Sequence, residues 1–367
     1  MSVFQEIKNI LKYIFPPPTK SFMREINDLR RHLFDIREEL SVIRKENEAI
    51  RDELNQVLTE LRDSSWDNYK SGHWTQNYAY LSSIPEERYP EELCKWYYQQ
   101  TGDILNLANP RTLNEKIQWM KLYDATPLKT RLADKYLVRE WVKEKIGEEY
   151  LIPLLGAWDH FDEINFDEFP DRFVLKANHG SGWNIIVKNK ATFDREDAKR
   201  KFEEWMNLNY SFCNGYELQY MNIPPKIIAE EYIENEKGLK DYSIFCFNGK
   251  PTQVWVDLYC GTPNYLRSVY DMDWNPLPLK CTWPDGGELL SERPKSFETM
   301  KEFAALLSQD FAFVRVDFYD VNGKLYMGEM TFTPMSGLGR FEPAQWNREL
   351  GKLLILPPKS PIPKRLY

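Results

Sequence analysis

The sequence lacks most of the features that place a protein in a membrane, outside the cell or on a structural metal. It contains no apolar run near the roughly 20 residues that cross a bilayer. Glu6, Lys8 and Lys12 interrupt the N-terminal stretch where a secretion signal needs an apolar core. The five cysteines are scattered without a C-x-x-C pair, which argues against a zinc site or a disulfide framework. We therefore expect a cytoplasmic protein with free thiols.

Basic residues are in the minority, with 48 Lys and Arg against 56 Asp and Glu and a net charge of −8. Binding to a nucleic-acid backbone rewards clustered Lys and Arg, so we expect no nucleic-acid partner. Hydrophobic residues at 42% and aromatic residues at 14% exclude wholesale disorder. A length of 367 residues is enough for two or three domains with appendages.

Residues 1–18 are predicted to form an amphipathic helix and its proline stop. Residues 3–15 place a wide apolar stripe on one helical face, and three consecutive prolines follow. Lys8 and Lys12 lie on the opposite face. Such a stripe could contact the inner face of the cell membrane or dock on a partner subunit, and both alternatives stay open.

Residues 19–62 are predicted to form a coiled-coil stalk, because residues 26–61 show a heptad pattern. One series recurs every seven residues, at Ile26, Leu33, Leu40, Asn47, Leu54 and Leu61. A second series follows three residues later, at Leu29, Ile36, Ile43, Ile50 and Val57. The pattern predicts a homo-oligomer. Leucine in the first series with isoleucine in the second favours tetramers, whereas the lone Asn47 favours dimers, so the order stays open.

The rest of the chain predicts a mixed α/β (α+β) domain. Residues 63–83 lose the heptad pattern and are interpreted as a polar, aromatic linker. Residues 84–150 are mostly helical in pattern, strands dominate residues 151–354, and residues 355–367 form a proline-rich tail. Asn248-Gly249 and Asn322-Gly323 are strong signals for two β-hairpins.

The stretch FVLKANHGSGWNIIV, residues 173–187, predicts a strand, a short glycine loop and a second strand. Lys176 ends the first strand, and Gly180, Ser181 and Gly182 follow it. A glycine turn with free backbone N–H groups and a lysine alongside suits a phosphate. A simple β-turn is the alternative interpretation.

A second group of polar residues lies on the C-terminal hairpin. Arg315 and Asp317 alternate onto one face of its first strand, and Glu329 and Thr331 do so on the next. Two carboxylates with a hydroxyl beside them suit Mg²⁺, which prefers few carboxylates together with phosphate oxygens. A solvated hairpin face is the alternative.

Taken in order, these motifs resemble the ATP-grasp superfamily, and more narrowly the TupA-like ATP-grasp family, over roughly residues 85–350. The blocks that carry the resemblance are NEKIQWMKLYD, ADKYLVREWV, LIPLLGAWD, FVLKANHGSGWNIIV, KIIAEEYI, KDYSIFCFNGKP and RVDFYDVNGKLYMGEMTFTPMSG. The resemblance implies an ATP-grasp fold behind the N-terminal helical region and the coiled-coil stalk. It does not extend to the first helix or the stalk.

The resemblance also implies roles for individual residues in ATP binding. Lys135 and Lys176 would hold the ATP phosphates, and Ser181 and Gly182 would belong to the loop that closes over them. The segment AEEYI would be the adenine hinge. Its Glu230 side chain would accept from the adenine amino group, and the main chain of Glu231, Tyr232 and Ile233 would line the ring edge.

The same resemblance implies the catalytic residues. Asp317 and Glu329 match two metal carboxylates, with Thr331 where many members have Asn, which weakens the expected second metal position. Arg315 matches the arginine that stabilises the tetrahedral intermediate. Two further assignments rest on chemistry and position. Arg340 is a candidate anchor for an anionic substrate. His179 could pair with the transferred phosphoryl group or assist proton removal from the amine, and a structural role is the alternative.

The activity implied is ATP- and Mg²⁺-dependent amide formation through an acylphosphate. The family's association with surface-polysaccharide genes suggests a uronic acid of a capsular or similar glycan as the carboxylate, and an amino acid as the amine. Two alternatives come from other classes of protein. Asp271 and Asp273 form a D-x-D pair of the kind used by glycosyltransferases, although it also fits a turn. A scaffold without turnover is the other alternative.

Overall fold

A computed structural model describes residues 28–29, 31–43, 45–46, 74–235, 238–260, 262–282 and 284–366. The chain divides into two compact units, Met1–Ser71 and Gly72–Tyr367, and the boundary falls inside the predicted linker. The predicted N-terminal helix and Asn47 lie outside the described residues.

In the first unit, the described residues between 28 and 46 are helical, as the heptad pattern requires. Five of the heptad positions can be inspected there, and their apolar side chains are more than half exposed. They are Leu29 at 62%, Leu33 at 59%, Ile36 at 51%, Leu40 at 55% and Ile43 at 51%. This helix therefore has an apolar stripe that the described part of the chain does not cover.

The second unit begins with helices. They are α1 (Trp74–Ser83), α2 (Tyr89–Thr101), α3 (Leu113–Tyr123), α4 (Pro127–Ala133) and α5 (Val138–Lys145). The predicted linker was wrong over its last ten residues, which form α1. Tyr78 and Leu81, one helical turn apart, pack with the aromatic core around Phe212, and this packing stabilises a stretch without heptad periodicity.

The first sheet is antiparallel, with strands β1 (Leu154–Trp158), β2 (Phe173–Ala177), β3 (Asn184–Val187) and β4 (Ile227–Glu231) in the order β1-β4-β2-β3. All four were predicted from the sequence. Helix α6 (Arg195–Met206) buries Ala198 and Phe202 against Phe173 and Leu175 of β2. One face of this sheet is therefore closed, and the glycine loop connects β2 to β3 at its end.

The second sheet has five antiparallel strands in the order β10-β9-β5-β6-β7, where β8 is a short strand outside it. The strands are β5 (Lys240–Phe247), β6 (Lys250–Leu258), β7 (Leu266–Asp271), β8 (Lys280–Cys281), β9 (Phe313–Val321) and β10 (Lys324–Thr331). Both predicted hairpin turns are confirmed: Asn248 and Gly249 have φ of 51° and 74°, and Asn322 and Gly323 have 55° and 87°. Strands β7 and β8 were not predicted.

Strand alternation decides which face of the second sheet carries the site. Val314, Val316 and Phe318 of β9 pack under helix α7 (Phe297–Ser308) in the largest core cluster. Their neighbours Arg315, Asp317 and Tyr319 therefore point to the opposite face. The polar residues of β9 are held in place by an apolar surface directly behind them.

The chain ends with β11 (Phe341–Glu342), which pairs with β8, helix α8 (Gln345–Leu353) and an extended tail. The tail runs along the second unit, where Ser360 N–H donates to the Tyr123 carbonyl at 2.8 Å and Leu366 N–H to Asn222 Oδ1 at 3.0 Å. Within the described ranges, no helix combines the length and apolar character needed to cross a bilayer.

The N-terminus of α3 offers a test of the helical region. Thr112 Oγ1 accepts from Glu115 N–H at 3.2 Å, and Glu115 Oε2 accepts from Thr112 N–H at 2.8 Å, which forms a capping box. Thr112→Ala should lower the free energy of unfolding by about 1 kcal/mol, measured by urea titration, because the Glu115 N–H loses its side-chain partner. Thr192→Ala, at an exposed turn, is the control and should change it by less than about 0.5 kcal/mol. Equal effects in the two variants would contradict the capping role.

Candidate functional site

Lys176 lies near the end of β2 and takes part in a partly buried chain of charges. Its Nζ donates to Glu230 Oε2 at 2.5 Å, and the other oxygen of Glu230 accepts from Arg139 Nη1 at 2.9 Å. Arg139, on α5, also donates to the Ile152 carbonyl at 2.8 Å. The register of β2 with β4 places Val174 opposite Glu230, so Lys176 is its diagonal neighbour. Helix α5 and strands β2 and β4 thus fix Lys176 at the mouth of the glycine loop.

Lys135, just after α4, connects the glycine loop to the second sheet. Its Nζ donates to the Gly180 carbonyl at 2.5 Å and lies 3.9 Å from Glu329 Oε2. Burial lowers the pKa of Lys135, nearby Glu329 raises it, and the positive charge of Lys176 lowers it again. The two ammonium groups therefore repel each other. An anion between them would relieve that repulsion, which is the property expected of a phosphate site.

Arg315 holds the two predicted metal carboxylates together. Its Nε and Nη2 donate to the two oxygens of Asp317 at 2.8 and 2.5 Å, and Nη2 also reaches Glu329 Oε1 at 3.2 Å. Thr331 Oγ1 lies 3.1 Å from Arg315 Nη2 and donates to Glu329 Oε1 at 3.0 Å. Arg315 therefore contacts each of the three other residues that the sequence placed on one hairpin face.

The pKa values of the two carboxyl groups shift in opposite directions. Burial raises the pKa of Asp317 to about 6, although the Arg315 guanidinium acts against the shift. Burial would also raise the pKa of Glu329, but Lys135 and Arg315 outweigh it and keep the pKa below its ordinary value. Glu329 is therefore the carboxylate that stays charged most readily.

A break in the register of β10 positions Glu329. The regular pairing with β9 is interrupted between Met327 and Met330. A Cβ on Gly328 would lie 2.9 Å from the ring of Tyr319, so glycine permits this close approach. A β-bulge re-aims the side chains next to it, and here it directs Glu329 towards Arg315.

The donor set fits an oxygen-ligated divalent cation. Within the described ranges, no group of three or more His, Cys, Asp and Glu side chains is arranged to hold a metal alone. Asp317 and Glu329 supply two carboxylates on adjacent strands, and Mg²⁺ completes such a set with phosphate oxygens and water. The pair therefore suits a metal that arrives with a phosphate.

The loop after β10 is held by one polar face of α3. Met335 and Ser336 have φ of 52°, and Gly337 has 67°, a run of left-handed residues that is strained at the first two. Three side chains at positions i, i+4 and i+7 of α3 bind this loop. Asn114 donates to the Gly339 carbonyl at 2.9 Å, Gln118 to the Ser336 carbonyl at 2.9 Å, and Lys121 to Ser336 Oγ at 2.6 Å. These three hydrogen bonds hold the strained backbone of the loop in place.

Sequence reasoning missed the polar residues that β5 adds to the same face. Ser243 is paired with Asp317, and Asp241 with Tyr319. Burial raises the pKa of Asp241 to about 7, and Cys260 Sγ donates to its Oδ2 at 2.8 Å. The alternation of Asp241 and Ser243 in KDYSIF was the available signal, but it becomes informative only when the strand beside it is known.

His179 is buried away from this cluster. Its ring nitrogens lie 3.1 Å from the Trp205 carbonyl oxygen and 3.2 Å from Asn178 Oδ1, and its ring contacts Trp183 edge-on at 5.2 Å. Burial lowers the pKa of His179 to about 4. The structural interpretation therefore fits this residue, whereas Ser181 and Gly182, which follow it, are exposed at the loop tip.

The hinge segment differs in detail from the expectation. Both oxygens of Glu230 are bound by Lys176 and Arg139, so the carboxylate is occupied by cations. The Glu231 N–H donates to the Pro153 carbonyl at 3.0 Å, while the Glu231 side chain is exposed. Tyr232 and Ile233 follow the strand and are partly buried. An adenine ring at this hinge would therefore contact the main chain after β4 and not the Glu230 side chain.

Two other predicted residues lie apart from the Arg315 cluster. Arg340 is exposed directly before β11, and its carbonyl accepts from Thr282 N–H at 3.1 Å. Asp271, at the end of β7, accepts from the N–H groups of Asp273 and Asn275 at 2.9 and 2.8 Å. The D-x-D pair therefore forms a turn whose first carboxylate is occupied by the main chain.

The family model described as TupA-like ATPgrasp matches residues 115–355. A search among curated proteins finds no match. Among solved structures, a D-alanine–D-alanine ligase from Bacillus anthracis is 14% identical with a TM-score of 0.36, covering 60% of this chain and 63% of that one. The same enzyme from Helicobacter pylori is 18% identical with a TM-score of 0.34, covering 63% and 60%. An L-amino acid ligase from Bacillus licheniformis is 12% identical with a TM-score of 0.38, covering 58% and 46%. The chain thus spans less than two thirds of these structures.

The buried histidine predicts a pH dependence of stability. Between pH 6.5 and 4 the unfolded chain binds a proton on His179 that the folded chain does not, so the contribution of His179 to stability falls as the pH falls through this range. This contribution should fall by about 3 kcal/mol at pH 4, while the raised pKa values of Asp241 and Asp317 act in the opposite direction. The free energy of unfolding of His179→Gln minus that of wild type, measured by urea titration, should therefore rise as the pH falls from 6.5 to 4, whereas the same difference for His160→Gln, at an exposed position, should stay constant. A wild-type slope in His179→Gln would contradict the assignment.

Proposed function

Because the chain belongs to the TupA-like ATP-grasp family, we propose that it is an ADP-forming ligase that joins a carboxylate to an amine. The observation that carries this proposal is the meeting of two clusters. Lys135 and Lys176 converge at the glycine loop, and the Lys135 ammonium lies 3.9 Å from Glu329 of the Arg315–Asp317–Glu329 cluster. A cationic cradle next to paired carboxylates suits a triphosphate that shares a divalent cation with the protein.

ATP is the proposed phosphoryl donor. Lys135 and Lys176 would bind its phosphates, with Ser181 and Gly182 closing over them, and the main chain of Glu231, Tyr232 and Ile233 would face the adenine. The carboxylate of Glu230 would keep Lys176 oriented. Asp317 and Glu329, with Thr331 beside them, would hold Mg²⁺, which supplies neutralisation of the phosphate charge.

The proposed reaction has two steps. A carboxylate oxygen of the acid attacks the γ-phosphorus of ATP, the bond to the β-phosphate oxygen breaks, and ADP leaves with that electron pair. The amine nitrogen then attacks the acyl carbon, phosphate leaves, and the amine loses one proton to solvent. Arg315 would stabilise the charge that develops on the acyl oxygen, an interaction whose loss costs about 3–4 kcal/mol in comparable sites.

The proposed acid is a uronic acid of a capsular or similar surface glycan, and the proposed amine is an amino acid. The family's association with surface-polysaccharide genes supports this choice, and a peptide carboxylate on a glycan is the reverse assignment. Arg340 is exposed and so accessible to an anionic group of a large substrate.

Two other functions are less well supported. A glycosyltransferase would use the Asp271 carboxylate for a metal, but that carboxylate caps a turn. An inactive scaffold would not need Lys135, Lys176, Arg315, Asp317 and Glu329 to meet.

We also propose that the protein is a homo-oligomer through residues 26–61. The described heptad positions form an apolar stripe that is more than half exposed, and a second copy of the same helix would bury it. Contact of residues 3–15 with the inner face of the cell membrane is the corresponding proposal for the first helix.

Glu329→Gln tests the ligase proposal. Loss of the carboxylate should lower ADP formation by about 100-fold or more, because a charge that binds metal and faces Lys135 becomes neutral. ADP is measured with Mg–ATP, a uronic acid oligosaccharide and pooled amino acids. Glu302→Gln, at an exposed position of α7, is the matched control and should retain activity.

Three results would contradict this proposal. Normal turnover in Glu329→Gln would remove the metal assignment. Consumption of a sugar nucleotide without ATP would support the transferase. Binding of Mg–ATP by calorimetry without any ADP formation would support the scaffold.

Leu40→Asp tests the oligomer in the full chain. A charge in the heptad seam should lower the molar mass measured by light scattering, because it cannot be buried between helices. Val42→Asp is the matched control, since Val42 is 53% exposed two residues away but outside the seam. An equal molar mass of wild type and Leu40→Asp, whether that of a monomer or that of an oligomer, would contradict the coiled coil.

A further inference from the structure

The chain between α6 and β4 has no role in the site as described so far. We call residues 207–226 the tyrosine segment; it contains two short 3₁₀ turns, Tyr210–Phe212 and Leu218–Tyr220. The segment is largely buried although it has little regular structure. Buried irregular backbone needs partners for its polar groups, so its contacts with other elements are informative.

On one side, the tyrosine segment binds the strand end that carries Thr331. Glu217 accepts a hydrogen bond from Thr333 Oγ1, and Gln219 Nε2 donates to the same oxygen at 2.7 Å. Thr333 lies two residues beyond Thr331. Glu217, Gln219 and Thr333 are all buried. These contacts fix the second 3₁₀ turn, and Tyr220 with it, beside the proposed metal strand.

On the other side, the segment packs against the glycine loop. The ring of Tyr220 contacts that of Tyr210 edge-on at 4.9 Å, and Tyr210 contacts Trp183 edge-on at 5.2 Å. Trp183 directly follows Gly182. Tyr220 also packs in one small cluster with Ala133, which lies two residues before Lys135. Tyr220 is thus placed from three directions: the phosphate lysine, the glycine loop and the metal strand.

The Tyr220 hydroxyl lies within electrostatic range of the charged cluster. Burial, followed by the carboxylates Glu217 and Glu329, raises the pKa of Tyr220 well above its ordinary value, and Arg315 acts against this shift. A negative charge on the Tyr220 oxygen would therefore interact with both Glu329 and Arg315. The phenol stays protonated at working pH and can act as a donor but not as a base.

The Tyr220 side chain is only 8% exposed, yet among the described residues no hydrogen-bond partner of its hydroxyl is found. Tyr216 on the same segment differs, since its hydroxyl is sealed in the core without a partner. The Tyr220 hydroxyl is not among those sealed atoms. A largely buried donor that has no partner in the described part of the chain and lies within electrostatic range of a cluster of functional groups is poised to bind a ligand oxygen.

We infer that Tyr220 is a catalytic residue that contacts the acid substrate, an inference that rests on the proposed ligase function. Its O–H donates to the carboxylate oxygen that does not attack phosphorus. That oxygen becomes the carbonyl oxygen of the acylphosphate and gains negative charge when the amine adds. The phenol keeps its proton throughout and adds a neutral donor to the cationic Arg315 at the same oxygen.

Tyr220→Phe removes this donor and keeps the ring. With glucuronate and galacturonate oligosaccharides as acids and hydroxylamine as amine, kcat/KM for the acid should fall about 10- to 100-fold, measured as ADP and hydroxamate formation. The Kd for Mg–ATP by calorimetry should stay within about twofold of wild type. Tyr216→Phe removes the same atom from a sealed position of the same segment and should leave both quantities unchanged.

The outcomes separate this inference from the function on which it rests. An unchanged kcat/KM in Tyr220→Phe overturns the contact alone. A parallel loss of Mg–ATP affinity shows that the hydroxyl binds the nucleotide and also overturns it, as does an equal loss in Tyr216→Phe. Wild-type protein that binds Mg–ATP but forms no ADP with any acid overturns the ligase proposal and the contact together.

Discussion

The site depends on the position of one ammonium group, that of Lys135. It is hydrogen-bonded to the glycine loop through the Gly180 carbonyl and lies 3.9 Å from Glu329, so it connects the two sheets that form the site. Its charge is opposed by Lys176 and balanced by Glu329. Two like charges on partly buried side chains favour an anion between them, which is the role that the proposed function gives to the ATP phosphates.

The carboxylates of the site fix the orientation of its lysine and arginine side chains. Glu230 binds Lys176 and Arg139, and Asp317 binds Arg315, so each cation is oriented by a carboxylate. Replacing buried ion pairs by apolar residues often leaves stability unchanged or improves it. Such a concentration of buried pairs therefore contributes more to placing charges than to stabilising the fold. The stabilisation comes from the apolar surface behind β9 and β2.

Much of the fold was predictable because its signals are local. Asn-Gly turns require positive φ, which fixed both hairpins, and strand alternation placed Arg315 with Asp317. The site was predictable only through resemblance and only in part. Local pattern does not show where a side chain points. The position of His179 beside the glycine loop is compatible with a catalytic group, yet its side chain is buried behind the loop. The contact of Glu217 with Thr333 spans 116 residues of sequence, and no periodicity reports such a pairing.

The helical region before the first sheet has a larger part in the site than its sequence suggests. Asn114, Gln118 and Lys121 repeat with helical spacing, which a sequence pattern would assign to a solvated face, yet all three are buried against the loop after β10. Burial lowers the pKa of Lys121 to about 7, so its contacts must offset a substantial desolvation cost. The hydrogen bonds from Lys121 to the Asn214 carbonyl and to Ser336 Oγ act against this cost. They also hold Ser336 in a left-handed conformation that a free loop would abandon. The strain in this loop is thus maintained by α3, and the geometry beside Thr331 is set before any ligand binds.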